Sequence, residues 1–152
     1  QNGNHHCFIN IMEPVEVMYS NKLINSKAAM SAYQRAQTSV MTPLQMEVLA
    51  FKRAAAQLKK AAENIKNFTE YIEALQFNQR LWTAIQVGLA AENCRVPEPV
   101  RSKILNLSLF VDTHTLKAIT HPNAAHLTVL IEIDLSLADG LFEGRKSRPS
   151  LN

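Results

Sequence analysis

The chain has 152 residues, 47% hydrophobic and 19% charged, with a net charge of +3. That length supports one domain with a sizeable core, and four glycines are too few for a hairpin-rich β architecture whose turns depend on them. The modest charge does not by itself imply nucleic acid, the distant Cys7 and Cys94 make no disulfide framework, and no apolar run reaches the roughly 18 residues of a membrane span.

Residues 1–29 read apart from the rest. They begin Gln1-Asn2-Gly3-Asn4-His5-His6-Cys7 and show no clean period over Asn10 to Ala29, so a disordered or non-native leader is expected there. No charged stretch precedes an apolar block, so no secretory signal is read and the expected location is the cytoplasm. The folded domain is expected over residues 30–142, with 143–152 as a basic tail. A short helix is expected from Ser31 to Val40, with Tyr33, Ala36 and Val40 facing inward.

Thr42-Pro43-Leu44-Gln45 is a strong helix start, with Thr42 as cap, Pro43 in the first turn and Gln45 completing a capping box. Leu44, Val48, Phe51, Ala55, Leu58, Ala62 and Ile65 then alternate four and three apart, the pattern of a helix packed along its length on another. Thr69 is the expected cap of the next helix, with Glu70 in its first turn. Tyr71, Leu75, Asn78, Trp82, Ile85 and Leu89 keep the same spacing to about Ala91. Pro97 and Pro99 punctuate a loop over residues 92–99.

A helix from about Glu98 to Ile119 follows. Val100, Ile104, Leu107, Ser108 and Val111 form its inner face, and Leu105, Leu109 and Phe110 widen that face, which predicts a central helix. His121-Pro122-Asn123 ends it. The segment Leu127 to Leu135 is β-rich in propensity and could be a strand taken alone. A helix from about Asn123 to Asp139 is the favoured reading, because the apolar pattern of Leu127, Leu130, Ile131 and Leu137 continues to Asp139-Gly140, with Gly140 as C-terminal cap. The sum is an all-α, single-domain bundle of four to five helices.

No pattern of catalytic or metal chemistry stands out. His5-His6-Cys7 lacks further ligands at suitable spacing. His114, His121 and His126 lie seven and five apart, which does not match the i, i+4 pair of a helical zinc site. Ser108, Asp112 and His114 make no nucleophile elbow, and the isolated glycines make no phosphate loop. No enzymatic activity, metal or cofactor is therefore expected. Lys52, Arg53, Lys59 and Lys60 form a basic stripe, read as a solvated helix face or as a contact for RNA. Asn78 admits two readings: a buried polar residue fixing helix register, or a residue at the rim. Arg80 points off the seam, and it and Trp82 are candidates for partner contact.

Four stretches resemble the flagellar regulator FlaF family. They are Met30-Ser31-Ala32-Tyr33 before Thr42-Pro43; Phe77-Asn78-Gln79-Arg80-Leu81-Trp82-Thr83; Leu107-Ser108-Leu109-Phe110-Val111-Asp112-Thr113-His114-Thr115-Leu116; and Leu130-Ile131-Glu132-Ile133 before Gly140-Leu141. The last helix departs from the family, with Asp134-Leu135-Ser136 where an Asn-Arg-Asn stretch is usual. The resemblance implies a non-enzymatic role in flagellum biogenesis. It implies binding of newly made flagellin in the manner of an export chaperone, and control of flagellin synthesis alongside a second regulator, FlbT. Phe77, Asn78, Arg80, Trp82, Phe110 and Asp112 are the candidate partner contacts, with an exposed apolar patch expected near Phe77, Trp82 or Phe110. Two alternatives stand beside this reading: contact with flagellin mRNA through the basic stripe, and an adaptor that dimerises through the seam from Leu44 to Ile65.

Overall fold

A computed structural model of the chain describes residues 43–146. Among them are four helices and no strand. They are α1 (Pro43–Glu63), α2 (Phe68–Ala90), α3 (Glu98–Thr120) and α4 (Ala124–Lys146). The leader, the helix expected over Ser31–Val40, the Thr42 cap and most of the basic tail lie outside the described residues.

Side-chain contacts give the directions of the helices. Phe51 meets Trp82, and Lys60 meets Glu70, so α1 and α2 run antiparallel. Gln86 reaches Asp112 while Tyr71 reaches Ala118, so α2 and α3 are antiparallel as well. Tyr71 to Asn123 and Trp82 to Asp134 set α2 and α4 parallel. The result is an up-down-up-down bundle.

α1 and α4 share the broadest contact. Ala50, Ala54, Ala55 and Ala61 are buried on α1 beside Phe51 and Leu58, and small side chains let a neighbouring helix approach closely. The seam from Leu44 to Ile65 is thus used within the domain over most of its length. Ile65 falls after the helix end and is exposed. α2 supplies the centre of the core: Tyr71, Leu75, Leu81, Trp82, Ile85 and Leu89 are all fully buried, each side chain contributing about 1.5–3 kcal/mol of burial.

Three sequence expectations change. The cap of α2 is Asn67 rather than Thr69: its side chain accepts from Glu70 N–H and donates to the Glu70 carboxylate, each at 3.3 Å. Asn67's own N–H donates to Asn64 O at 3.0 Å, so Glu70 meets the side chain of the cap rather than its backbone, and Thr69 lies inside the first turn. Gly140 does not end α4, which continues to Lys146 with no glycine at positive φ among the described residues. An exposed glycine within a long helix costs only about 1 kcal/mol, which packing on α1 outweighs. Finally, α3 is not central. Its buried positions are Ser108, Val111, Thr115 and Ala118, small or polar residues that pack against the bundle, while Val100, Leu109, Phe110 and Leu116 are exposed.

One contact ties the far end of α3 to the core. The Tyr71 hydroxyl donates to Ala118 O at 2.8 Å and accepts from Asn123 N–H at 3.3 Å. The helical partner of Ala118 O would be the amide of residue 122, but that residue is Pro122, which has no N–H. Tyr71 therefore satisfies a carbonyl that the α3–α4 turn leaves open. Tyr71→Phe is expected to cost about 1–2 kcal/mol, read as a shift of the urea unfolding midpoint at unchanged helix content.

Candidate functional site

The candidate contact residues separate into two sets. Phe77, Asn78 and Trp82 belong to the interior: Asn78 and Trp82 are fully buried and Phe77 is 9% exposed. A partner approaching the folded domain does not meet them. The reason is position, since the aromatic-Asn-x-Arg-Leu-Trp stretch lies on the most enclosed helix, and only Gln79 and Arg80 within it turn outward. Phe110 is 48% exposed, and Asp112 is half-buried beside α2.

Within the interior, Asn78 and Trp82 converge on Asp134 of α4. Trp82 Nε1 donates to Asp134 Oδ1 at 3.0 Å. With the Asn78 amide oriented to satisfy both groups, its nitrogen donates to Asp134 Oδ2 at 2.8 Å. Phe51 packs edge-on against Trp82 with centroids 5.9 Å apart. The register reading of Asn78 is therefore the structural one: it meets a single acceptor on α4, and sliding either helix by a turn would break the pair. Burial pushes the Asp134 carboxyl up to about 7, against the Trp82 hydrogen bond that lowers it. Glu47 on α1 is 2% exposed, its Oε1 has no hydrogen-bond partner among the described residues, and burial pushes it up to about 8.

The surface of α3 differs from that of the other helices. Leu109 is 62% exposed and Leu116 63%, seven residues apart on one stripe, with Phe110 beside them. On the flank facing α2, the Gln86 amide donates to Ser108 Oγ at 3.0 Å and to Asp112 Oδ2 at 2.8 Å. On the flank facing α4, His114 stacks on Phe110 with centroids 5.5 Å apart and meets the His126 ring at 5.1 Å. Burial, then His126, hold the His114 imidazole below its ordinary value. The serine, aspartate and histidine are thus not assembled: Ser108 Oγ donates to Leu105 O at 2.6 Å, and His114 faces the opposite flank.

No cluster of three or more histidine, cysteine or acidic side chains able to hold a metal occurs among the described residues. No described helix is long and apolar enough to cross a membrane. The basic stripe is divided: Lys52, Lys59 and Lys60 are exposed, Lys60 pairs with Glu70, and Arg53 is half-buried.

Sequence reasoning missed Glu47, Asp134, the outward setting of Leu109 and Leu116, and the meeting of His114 with His126. The spacing Leu127-Leu130-Asp134-Ala138 continues a seam through the aspartate and was a usable signal for it. The histidine contact joins two helices and leaves no trace in local spacing.

Compared with known proteins, the chain matches a family model described as flagellar protein FlaF over residues 29–141. No curated protein and no solved structure matches it.

Proposed function

Because the chain belongs to the FlaF family of flagellar proteins, we propose that it acts in flagellum biogenesis by binding flagellin as an export-chaperone-like factor, and that the outer face of α3 is where flagellin docks. The observation that carries this reading is the exposed apolar band of Leu109, Phe110 and Leu116 on one helix. An amphipathic helix laid against such a band buries its own apolar stripe and the band together. In this reading the protein is cytoplasmic, where flagellin is made. Flagellin held on α3 would link export to the control of flagellin synthesis, alone or together with FlbT.

The two alternatives have less support. The stripe that would contact flagellin mRNA keeps only two exposed cations clear of burial and of the Glu70 pair, few for phosphate binding. Dimerisation through the α1 seam would compete with the packing of α1 on α4.

Calorimetric titration of the full chain with flagellin from the same cell tests the proposal. Leu109→Asp and Leu116→Asp are each expected to weaken binding about tenfold or more with no change in unfolding midpoint, since both side chains face solvent. Absence of binding by the wild-type protein at high concentration would sink the proposal.

A further inference from the structure

The charged residues of α3 are not scattered around it. Lys103 and Lys117 stand seven residues before and after Phe110 and share its stripe, beside the stripe of Leu109 and Leu116. Both are exposed, and neither makes an ion pair among the described residues. The only acidic residues of the helix are Glu98 and Asp112. Glu98 pairs with Arg101 and accepts from Ser102 Oγ at 2.6 Å, and Asp112 is turned to Gln86. The outer face therefore holds an apolar centre, a cation at each end and no free carboxylate.

The two threonine hydroxyls between the stripes are already satisfied, while Asn106, also between them, is exposed. Thr113 Oγ1 donates to Leu109 O at 3.0 Å, and Thr120 Oγ1 to Leu116 O at 3.0 Å. Covering this face strands neither hydroxyl donor, so docking carries little of the usual penalty for burying those two groups.

Building on the docking reading above, we infer that the segment received by α3 is an acidic amphipathic helix, its apolar stripe on Leu109, Phe110 and Leu116 and its carboxylates paired with Lys103 and Lys117. At 1.5 Å of rise per residue the two ammonium groups stand about 21 Å apart along the helix, so the partner's carboxylates lie roughly 14 residues apart. The lysines are rim charges: they select the partner and speed its approach, while the apolar centre supplies most of the affinity.

The test is titration of the full chain with flagellin from the same cell, at low and at physiological salt. Lys103→Glu with Lys117→Glu is expected to weaken binding about tenfold at low salt and less at higher salt. Lys103→Gln with Lys117→Gln should fall between, and it guards against a loss of helix stability, since Lys117 sits in the last turn where a negative charge opposes the helix dipole. Unchanged binding by both pairs, while Leu116→Asp still abolishes it, would overturn the acidic-helix inference and leave the docking reading standing. No binding by any form, wild type included, overturns both. If the charge reversal instead removes binding to flagellin message and leaves flagellin binding intact, the lysines serve nucleic acid and the inference is wrong.

Discussion

Trp82→Ala is expected to lower the unfolding free energy by about 3–5 kcal/mol, a large share of the roughly 5–15 kcal/mol that holds a domain of this kind together. The indole is fully buried, and truncation does three things at once. It empties the largest side-chain volume in the core, removes the ring against which Phe51 packs edge-on, and deprives Asp134 of one of its two donors. Trp82→Phe separates the terms. It keeps most of the ring but drops the N–H, and about 1–2 kcal/mol is expected for the lost hydrogen bond to a buried carboxyl. Urea unfolding followed by circular dichroism reads both. Because Trp82 is the chain's single tryptophan, its emission should be that of a shielded indole in the wild type and should shift red in one step with unfolding. Solvent-like emission from the native protein, or an alanine variant within about 1 kcal/mol of wild type, would refute the assigned position. Loss of flagellin binding in this variant would report unfolding, which is why contact is tested at Leu109, Leu116 and the lysines.

The seam of α2 was legible residue by residue. Tyr71, Leu75, Asn78, Trp82, Ile85 and Leu89 repeat at helical spacing, and a helix enclosed on several sides leaves little freedom in which face turns inward. α3 was harder for a physical reason. Leucines and a phenylalanine occur all round it, so periodicity alone does not say which stripe the bundle covers. Ser108 and Val111, both expected on the inner face, are buried together with Thr115 and Ala118, and Ile104, Leu105 and Leu107 are half-buried against the core, whereas Val100, Leu109, Phe110 and Leu116 are left outside. Asn78 could be suspected from its place on the seam, whereas its acceptor could not, because Asp134 is brought to it by a fold that joins residues 56 positions apart. Glu47 was hidden by its type, since glutamate is assigned to the surface unless a partner is visible. The FlaF resemblance was carried most specifically by two stretches, one on α2 and one on α3, and the structure gives them different work. The first builds the core around Trp82, and the second presents the candidate docking face.

Glu47 is expected to make the stability of this domain fall as pH rises from about 5 to 8. Its carboxyl is buried with one oxygen unpartnered and is pushed from 4.5 up to about 8, so the folded state holds a proton that the unfolded chain releases. The stabilisation by that bound proton is fully present below pH 4.5 and is lost as pH climbs through about 8, to a total on the order of 3–5 kcal/mol. Asp134 acts in the same direction between 3.8 and about 7, but more weakly, because Trp82 and Asn78 both donate to it and support its charged form. His114 runs the opposite way: its imidazole is held low by burial and by His126, so its contribution is complete above pH 6.5 and is lost as pH falls through the lowered value. These opposing slopes make the wild-type curve alone ambiguous, and the comparison with Glu47→Gln isolates the glutamate. The glutamine cannot ionise, so its advantage over wild type should be small near pH 5 and grow to about 2–4 kcal/mol at pH 8. Urea midpoints for both proteins at pH 5, 6.5 and 8 decide the matter. Parallel curves would mean that Glu47 titrates as an ordinary exposed carboxyl, and that the start of α1 is open to water rather than closed against the bundle.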